Sequence, residues 1–271
     1  MENSQELCTT NGFQHQPLDR TQPSIRLLEI KPRLDPNTSK TVLLNGKPFV
    51  VWRNLFNFLD LASTHHWSGL STPCRYWVDA LCIDQSSILE RNHQVAQMGK
   101  IFAGAQRVHV WLGQVPSADT ECVRSFFEDP VDKISFSDWS FTIRRNMHVI
   151  ECNIFHNEYW SRAWVTQEIL LARDVVIVCG THHIKMLRLV ERARYFVLNW
   201  FDTAFQLLAI PENDHSQTAG LPLITLLSYF RLKKCKIAHD RVYSLLSLCN
   251  GPDVVSVDYN VRCCDLAYQI L

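Results

Sequence analysis

Tyr76-Trp-Val-Asp-Ala-Leu-Cys-Ile83 is the stretch that decides the fold class, because it is a nearly continuous apolar run of strand length. Such runs are typical of strands buried on both faces of a parallel sheet. Ser87 and Glu90 then have the spacing of a capping box, which predicts the start of a helix. A second apolar segment of strand length follows at Arg107–Gly113. Strand, helix and strand in this order predict a right-handed crossover unit of a parallel sheet.

The rest of the chain continues this alternation. Asn45-Gly46 lies between two short apolar runs and is the strongest short-range signal for a β-hairpin. Tyr159–Ala172 has helical spacing, and Val175–Gly180 reads as another buried strand. The pattern then predicts long helices, at roughly 185–210, 221–233 and 240–249. We therefore predict an α/β fold with a helical C-terminal part.

Three regions are predicted along the chain. Residues 1–23 are polar and without a period, which indicates a disordered tail. Residues 24–183 hold the alternating strands and helices and form the predicted α/β core. Residues 184–271 form a predicted helical extension. Its last stretch, Asp265–Leu271, stops in mid-helix without a cap, so we expect the extension to be truncated at its C-terminus.

Composition excludes several classes of protein. The 271 residues are 46% hydrophobic, and 27 basic side chains balance 27 acidic ones, so the chain should fold. Zero net charge provides no bulk attraction to nucleic acid or to an anionic membrane. The ten cysteines form no Cys-x-x-Cys pair, and the start of the chain lacks a secretion signal. We therefore predict a cytoplasmic protein with reduced thiols, which binds neither nucleic acid nor membrane.

Common catalytic and metal-binding motifs are absent from the sequence. It has no glycine-rich phosphate loop, no Gly-x-Ser-x-Gly elbow and no His-Glu-x-x-His motif. Cys152 and His156 are four residues apart, and Cys179 is close to His182 and His183. Structural zinc sites have paired close ligands on both sides of a loop, which these groups lack. We predict no metal site.

Glu168 is the sharpest candidate for chemistry. It follows Trp160 and Trp164 at helical spacing, so its carboxylate is expected one turn beyond an indole in apolar surroundings. A structural interpretation is an ion pair with Arg162 or Arg173, or a hydrogen bond to a neighbouring loop. The functional interpretation is an acid in a cleft whose environment is tuned for catalysis. Spacing alone leaves both open.

Asp79 and Asp84 are a second acidic pair. Asp79 interrupts the predicted strand, and Asp84 follows its C-terminal end, the edge at which open α/β sheets bind ligands. Asp84 is equally suited to cap the next helix or to form a turn. Asp79 is expected either to be hydrogen-bonded in the core or to face a partner group.

Several blocks of this sequence resemble the fungal heterokaryon incompatibility (HET) domain. The blocks that carry the resemblance are Tyr76–Gln85, Glu90–Phe102, Val108–Gly113, Tyr159–Ile169 and Val178–Gly180. Ile25–Ile30 and Asp240–Leu248 are similar to the family's opening strand and to one of its later helices. The resemblance thus covers about residues 25–260, and the order and spacing of its blocks make it specific.

The resemblance implies a cytosolic signalling domain of filamentous fungi. In that family, recognition of genetically different self, or of an intruder, leads to programmed cell death. It also implies a fold similar to the Toll/interleukin-1 receptor (TIR) domain, with a flavodoxin-like parallel sheet flanked by helices. Enzymatic TIR domains carry a Trp-x-x-x-Glu-like pattern whose Glu cleaves NAD between ribose and nicotinamide, and Trp164 and Glu168 have that spacing.

By this resemblance Glu168 is the predicted catalytic residue, since one carboxylate can stabilise the oxocarbenium-like transition state. The predicted substrate-binding residues are Trp164, Trp160, Asp79, Asp84, Arg91 and Gln167. NAD is expected as a substrate, with no resident cofactor. The other expected partners are further copies of the chain or other incompatibility proteins.

One family block is missing. HET domains usually place an aromatic-x-Ala-Leu-Ser-Tyr-x-Trp-Gly block before the Asn-Gly hairpin, but here the chain passes from Leu34 to Thr41 through Asp35-Pro-Asn-Thr-Ser. By the TIR analogy this removes a central strand and a loop of the nucleotide pocket. The alternative prediction is therefore a non-catalytic signalling or self-assembly module, or a degenerate, inactive HET protein.

Overall fold

The structure is a computed structural model that describes residues 13–31, 41–65, 74–130, 141–194, 203–208, 220–249 and 255–270. The chain divides into two compact units, Met1–Glu90 and Arg91–Leu271. The division lies between residues 90 and 91, whereas the sequence predicts boundaries after residues 23 and 183. Those two boundaries stay predictions. Residues 1–12 of the predicted tail and the junction where the family block is missing lie outside the described residues. In the rest of that tail, His15 Nε2 lies 2.9 Å from the Leu81 carbonyl oxygen.

The first unit contains two small antiparallel sheets and short helices. Its strands are β1 (Leu28–Glu29), β2 (Thr41–Leu44), β3 (Lys47–Val50) and β4 (Arg75–Tyr76), with β1 paired to β4 and β2 to β3. Its helices are α1 (Arg53–Thr64), α2 (Asp79–Cys82) and the start of α3 (Ile88–Gly104). The hairpin predicted at Asn45-Gly46 is confirmed. Both residues have positive φ, 50° and 79°, as a two-residue turn with the twist of the strands requires.

The strand predicted over Tyr76–Ile83 is wrong. Strand β4 ends at Tyr76, and the apolar residues that follow it form α2 instead. The Cys82 amide donates to the Val78 carbonyl at 2.8 Å, and Leu81 and Cys82 are buried by this helical turn. A short apolar run is equally well buried as a strand or as one turn of helix, so its periodicity could not separate the two.

The start of α3 confirms half of the predicted capping box. Ser87 Oγ accepts a hydrogen bond from the Glu90 amide at 3.3 Å. The Glu90 carboxylate, however, accepts from the Asp84 amide at 2.7 Å and from both terminal nitrogens of Arg26, at 2.5 and 3.0 Å. Arg26 also donates to the carbonyls of Cys82, at 2.8 Å, and Gln16. One largely buried ion pair therefore joins four segments of the first unit.

The second unit is built around a three-stranded sheet. Strand β5 (Val108–Trp111) pairs in parallel with β6 (Val175–Cys179), and β6 pairs antiparallel with β7 (His182–Lys185). All five residues of β6 are buried, which confirms the buried strand predicted at Val175–Gly180. The chain is thus a mixed α/β protein. Within the described residues this sheet has one parallel pair, and a larger flavodoxin-like sheet stays a prediction.

Helices are the most numerous elements among the described residues of the second unit. They are α4 (Thr120–Glu128), α5 (Phe141–Ile150), α6 (Val165–Leu170), α7 (Met186–Ala193), α8 (Phe205–Leu208), α9 (Leu223–Tyr229), α10 (Asp240–Tyr243) and α11 (Cys263–Ile270). A π-helical turn covers Glu151–Phe155, and 3₁₀ turns cover Glu158–Ser161 and Leu246–Leu248. The helices described in the C-terminal part are shorter than those predicted, and the predicted span 240–249 is divided between α10 and the turn Leu246–Leu248. None of the helices described is both long and apolar enough to cross a membrane.

Gly99 marks a close approach between α3 and the second unit's C-terminal part. A Cβ atom at this position would lie 2.2 Å from Ser247 Oγ and 3.3 Å from Leu171 Cδ1, whereas one at Gly104 would meet nothing within 4 Å. We expect Gly99→Ala to lower the free energy of unfolding by about 1–3 kcal/mol, since Ser247 must move. Gly104→Ala, the matched control on the same helix, should be neutral or slightly stabilising. Equal urea-unfolding midpoints for the two variants would contradict the close approach.

Candidate functional site

A 3₁₀ turn positions the second family-like block. The Asn157 side chain accepts from the Tyr159 amide at 3.0 Å and so caps the turn Glu158–Ser161. Asn157 Nδ2 donates to the Leu112 carbonyl at 2.8 Å, directly after β5. A single long helix from Tyr159 is therefore not formed, because the chain is extended at Arg162 before α6 begins. The turn and α6 together carry Trp160, Trp164, Gln167 and Glu168.

Glu168 lies on α6 and is half-buried. Its Oε2 atom accepts a hydrogen bond from the Tyr159 hydroxyl at 2.8 Å. The Glu168 amide bonds to the Trp164 carbonyl at 3.3 Å, so these two residues are one helical turn apart, as their spacing predicts. Tyr159 is a functional neighbour that sequence reasoning missed. Nothing in a nine-residue separation indicated that the 3₁₀ turn would fold this phenol back onto α6.

Trp160 and Trp164 have different environments. Trp160 is 0% exposed, and its indole Nε1 donates to the Ile154 carbonyl at 2.5 Å. Trp164 is half-buried and directly precedes α6. Stacking of Trp164 on a substrate ring is compatible with this exposure. The same role for Trp160 stays a prediction that requires its turn to open.

Gln167 points into the interior of the second unit. It is 1% exposed, and neither oxygen nor nitrogen of its side-chain amide has a hydrogen-bond partner in the part of the chain that the structure describes. The neighbouring Thr166 is 0% exposed, and its hydroxyl also has no hydrogen-bond partner among the described residues. Buried polar groups of this kind usually bind ordered water. A role for Gln167 in substrate binding stays a prediction.

Arg91 belongs to a cluster formed with the C-terminal part of the second unit. Its guanidinium lies 4.2 Å from the centre of the Tyr259 ring, an attractive cation–π geometry. The Tyr259 hydroxyl donates to Asp240 Oδ1 at 2.6 Å. Burial, together with the Asp240 carboxylate, raises the pKa of Tyr259 above its ordinary range. These contacts assign Arg91 a structural partner, and its role in substrate binding stays a prediction.

Asp79 and Asp84 lie in the first unit. Asp84 Oδ1 accepts from the Ser86 hydroxyl at 2.6 Å and from the Ser86 amide at 3.0 Å, which is a turn built by an aspartate side chain. Burial alone would raise the pKa of Asp84, but the Ser86 hydrogen bonds hold it below its ordinary value. Asp79 Oδ1 accepts from the Ala80 amide at 2.7 Å, at the start of α2. Both carboxylates therefore have local structural partners, and their predicted substrate contacts stay predictions.

Comparison with known proteins identifies the family. The model of the heterokaryon incompatibility protein (HET) family matches residues 26–168, which is more than half of the chain. The chain belongs to the HET family. It is also similar to heterokaryon incompatibility protein 6, OR allele, of Neurospora crassa, with 26% identity over 171 residues. That match covers 50% of this chain and 25% of the relative, so the chain spans about a quarter of that protein. No solved structure matches.

Lys233 is a second residue that the sequence did not single out, and it lies beyond the part matched by the HET model. It is 3% exposed, and its Nζ donates to the carbonyls of Trp160 at 2.6 Å and Thr203 at 2.9 Å. No carboxylate of the described residues forms an ion pair with it. Burial therefore lowers the pKa of Lys233 from 10.5 to about 7. In the sequence it stands in a Lys-Lys-Cys-Lys run, which is typical of an exposed surface.

The pKa of Lys233 predicts how stability changes with pH. The pKa of Lys233 is about 7 in the folded chain, whereas a solvated lysine, as in the unfolded chain, has a pKa of 10.5. Between pH 7 and 10.5 the unfolded chain therefore binds more protons than the folded chain. The free energy of unfolding should thus rise with pH, by about 1–2 kcal/mol from pH 6.5 to 8.5. Lys233→Met should remove this rise, while Lys234→Met, which alters the exposed neighbour, should keep it.

Urea unfolding at the two pH values measures this difference between the variants. The window ends at pH 8.5, because burial raises the pKa of Cys82 to about 11 and of Cys179 to about 12. Above that pH the unfolded chain loses thiol protons that the folded chain keeps, and stability falls for an unrelated reason. An identical pH dependence in Lys233→Met and in the unmutated chain would contradict a titrating Lys233.

A cavity of about 480 Å³ lies elsewhere in the second unit. It is lined by Asn92, His93, Val95, Ala96, Tyr243, Leu246, Ser247, Cys249, Val255, Ser256 and Val257. The lining contains no Asp, Glu, Lys or Arg side chain and none of the predicted site residues. Among the described residues, no three His, Cys, Asp or Glu side chains are grouped so that they could hold a metal ion.

Proposed function

We propose that this HET-family chain acts in fungal self/non-self recognition and programmed cell death, and that it does so by cleaving NAD. Membership in the HET family supports the role in incompatibility, as does the similarity to heterokaryon incompatibility protein 6. The proposal includes a cytoplasmic location and a TIR-like arrangement of the α/β core.

The observation that carries the catalytic part is the environment of Glu168. It is half-buried, lies one helical turn beyond the half-buried Trp164, and is held at 2.8 Å by the Tyr159 hydroxyl. A carboxylate at the boundary between core and solvent can reach a substrate while its position is kept by the phenol. This geometry is suited to electrostatic stabilisation of a developing positive charge.

The proposed reaction is hydrolysis of the bond between ribose C1′ and the nicotinamide nitrogen. As this bond breaks, its electron pair leaves with nicotinamide, which departs as a neutral molecule and needs no general acid. Positive charge develops on the ribose, where the Glu168 carboxylate stabilises it and binds the ribose hydroxyls. Water then adds to C1′ and loses a proton, which yields ADP-ribose. Trp164 would stack on a ring of the substrate.

A second candidate function is a non-catalytic module that signals by self-assembly or by binding other incompatibility proteins. One observation favours it: Trp160 and Gln167, both predicted to bind substrate, are 0% and 1% exposed. The missing Ala-Leu-Ser-Tyr block agrees with this alternative, since it should contribute to the nucleotide pocket.

An assay for free nicotinamide separates the two candidates. Purified chain is incubated with NAD over a range of protein concentrations, and nicotinamide and ADP-ribose are quantified by chromatography. Release in equal amounts of both products supports hydrolysis, and heat-unfolded protein serves as the control. Absence of release, in samples whose assembly is verified by light scattering, would sink the enzymatic proposal and favour the signalling module.

A further inference from the structure

We propose that Lys233 is a positioning residue that clamps the Glu158–Ser161 turn and thereby sets the place of Tyr159 beside Glu168. The clamp comes from a part of the chain that the HET model does not match. Its effect on catalysis rests on the proposed function, whereas the clamp itself is a property of the fold and can be tested without NAD.

Lys233 joins two segments that are far apart in the sequence. Its Nζ atom donates to the Trp160 carbonyl at 2.6 Å and to the Thr203 carbonyl at 2.9 Å. The last carbonyls of a short helix have no partner inside the helix, and Trp160 is close to the end of its 3₁₀ turn. A buried carbonyl without a partner is costly, so the lysine supplies a donor that this turn needs.

The backbone next to Lys233 completes the clamp. The Lys234 amide donates to the Ser161 carbonyl at 2.5 Å, and the Ala163 amide donates to the Lys234 carbonyl at 2.8 Å. These two bonds form an isolated parallel bridge between Arg162 and Lys234. The chain from Trp160 to Ala163 is thus bound on both sides of Arg162 by residues 233 and 234.

The number of donors explains why a lysine is present. A lysine Nζ has at least two N–H groups in either protonation state, and two carbonyls accept from this one. A methionine would fill a similar volume without the cost of burying an amine, but it could not bind either carbonyl. The stabilised turn begins with Tyr159, whose hydroxyl holds Glu168 at 2.8 Å. Loosening the Trp160 carbonyl should therefore loosen the Tyr159–Glu168 contact.

Hydrogen exchange measured by mass spectrometry tests the clamp directly. In Lys233→Met, peptides that cover residues 158–168 should exchange about tenfold faster, because the two hydrogen bonds from Nζ to the Trp160 and Thr203 carbonyls are lost. Peptides from strand β6 in the same unit should keep their rates. Lys234→Met removes an exposed side chain and keeps the backbone bridge, so it should match the unmutated chain.

Uniform acceleration across the second unit would overturn the proposal, since it would mean that Lys233 is only a general stabiliser. An unchanged rate at residues 158–168, or equal effects of the two variants, would also overturn it. If Lys233→Met does not fold, the unmutated chain decides. Peptides 158–164 and 230–235 should then open together with the same protection, and independent opening would refute the clamp.

Activity provides the second readout. If the unmutated chain releases nicotinamide, Lys233→Met should lower kcat by about tenfold with a smaller change in KM, since Glu168 would be misplaced rather than removed. If the unmutated chain releases none, the proposed function fails, and the exchange experiment still decides on the clamp.

Discussion

We expect Glu168→Gln to lower the rate of nicotinamide release by at least about a hundredfold. The amide has nearly the same shape and keeps an oxygen that can accept from Tyr159, but it lacks the charge that stabilises an oxocarbenium-like transition state. Removal of one group that stabilises transition-state charge typically costs about 10²–10³ in rate. Chromatographic quantification of nicotinamide at saturating NAD measures this directly.

Glu158→Gln is the matched control for this variant. Glu158 is exposed in the turn that carries Tyr159, and the same chemical change there should leave the rate within about twofold. Circular dichroism verifies that both variants are folded. Equal rates for Glu168→Gln and the unmutated chain would remove Glu168 from the catalytic role and leave any observed release to another residue.

Glu90→Ala is the second substitution with a large expected effect. The side chains of Glu90 and Arg26 are only 7% and 18% exposed, and their closest atoms are 2.5 Å apart. Removal of Glu90 leaves the largely buried Arg26 charge without its counter-ion, and for a fully buried pair such a loss typically costs about 3–5 kcal/mol, which is the upper value here. It also takes the acceptor from the Asp84 amide. We expect the first unit to unfold at a markedly lower urea concentration.

A surface pair provides the comparison for Glu90. Glu121 pairs with Arg124 at 2.6 Å, but their side chains are 78% and 36% exposed, so Glu121→Ala should lower the stability much less than Glu90→Ala does. The two variants remove the same residue type from one ion pair each. Similar losses of stability in both would show that the burial of the Arg26–Glu90 pair has no energetic consequence.

Acid sensitivity follows from the same pair. Burial would raise the pKa of Glu90, but the Arg26 and Asp84 hydrogen bonds hold it below its ordinary value. Because the pKa of Glu90 is lower in the folded chain than in the unfolded chain, the ionised carboxylate stabilises the fold at pH values above its unfolded-state pKa of about 4.3. This stabilisation is lost as the pH falls through the folded-state pKa. The difference in unfolding free energy between the unmutated chain and Glu90→Ala should therefore narrow below about pH 4.

Local sequence signals succeeded where the deciding interactions are local. The Asn45-Gly46 turn needs two residues that tolerate positive φ, and the Ser87 cap needs a hydroxyl three residues before an amide. Strand β6 was predictable because a continuous run of β-branched residues is buried on both faces. The Trp164–Glu168 spacing likewise follows from the geometry of one helical turn. The family itself was evident from ordered blocks of this kind.

Tertiary structure decided what depends on partners far along the chain. The run after Tyr76 became α2, because burial of Leu81 and Cys82 is satisfied by a helical turn and no local pattern excludes it. The Glu90 carboxylate accepts hydrogen bonds from Arg26, 64 residues earlier, instead of completing the capping box. Lys233 is buried because carbonyls 73 and 30 residues away accept its hydrogen bonds. Each outcome depends on desolvation and pairing energies that exist only once the chain is folded. The sequence alone therefore determined the family, the Asn45-Gly46 turn and strand β6, whereas the surroundings of Glu168 were decided by the tertiary structure.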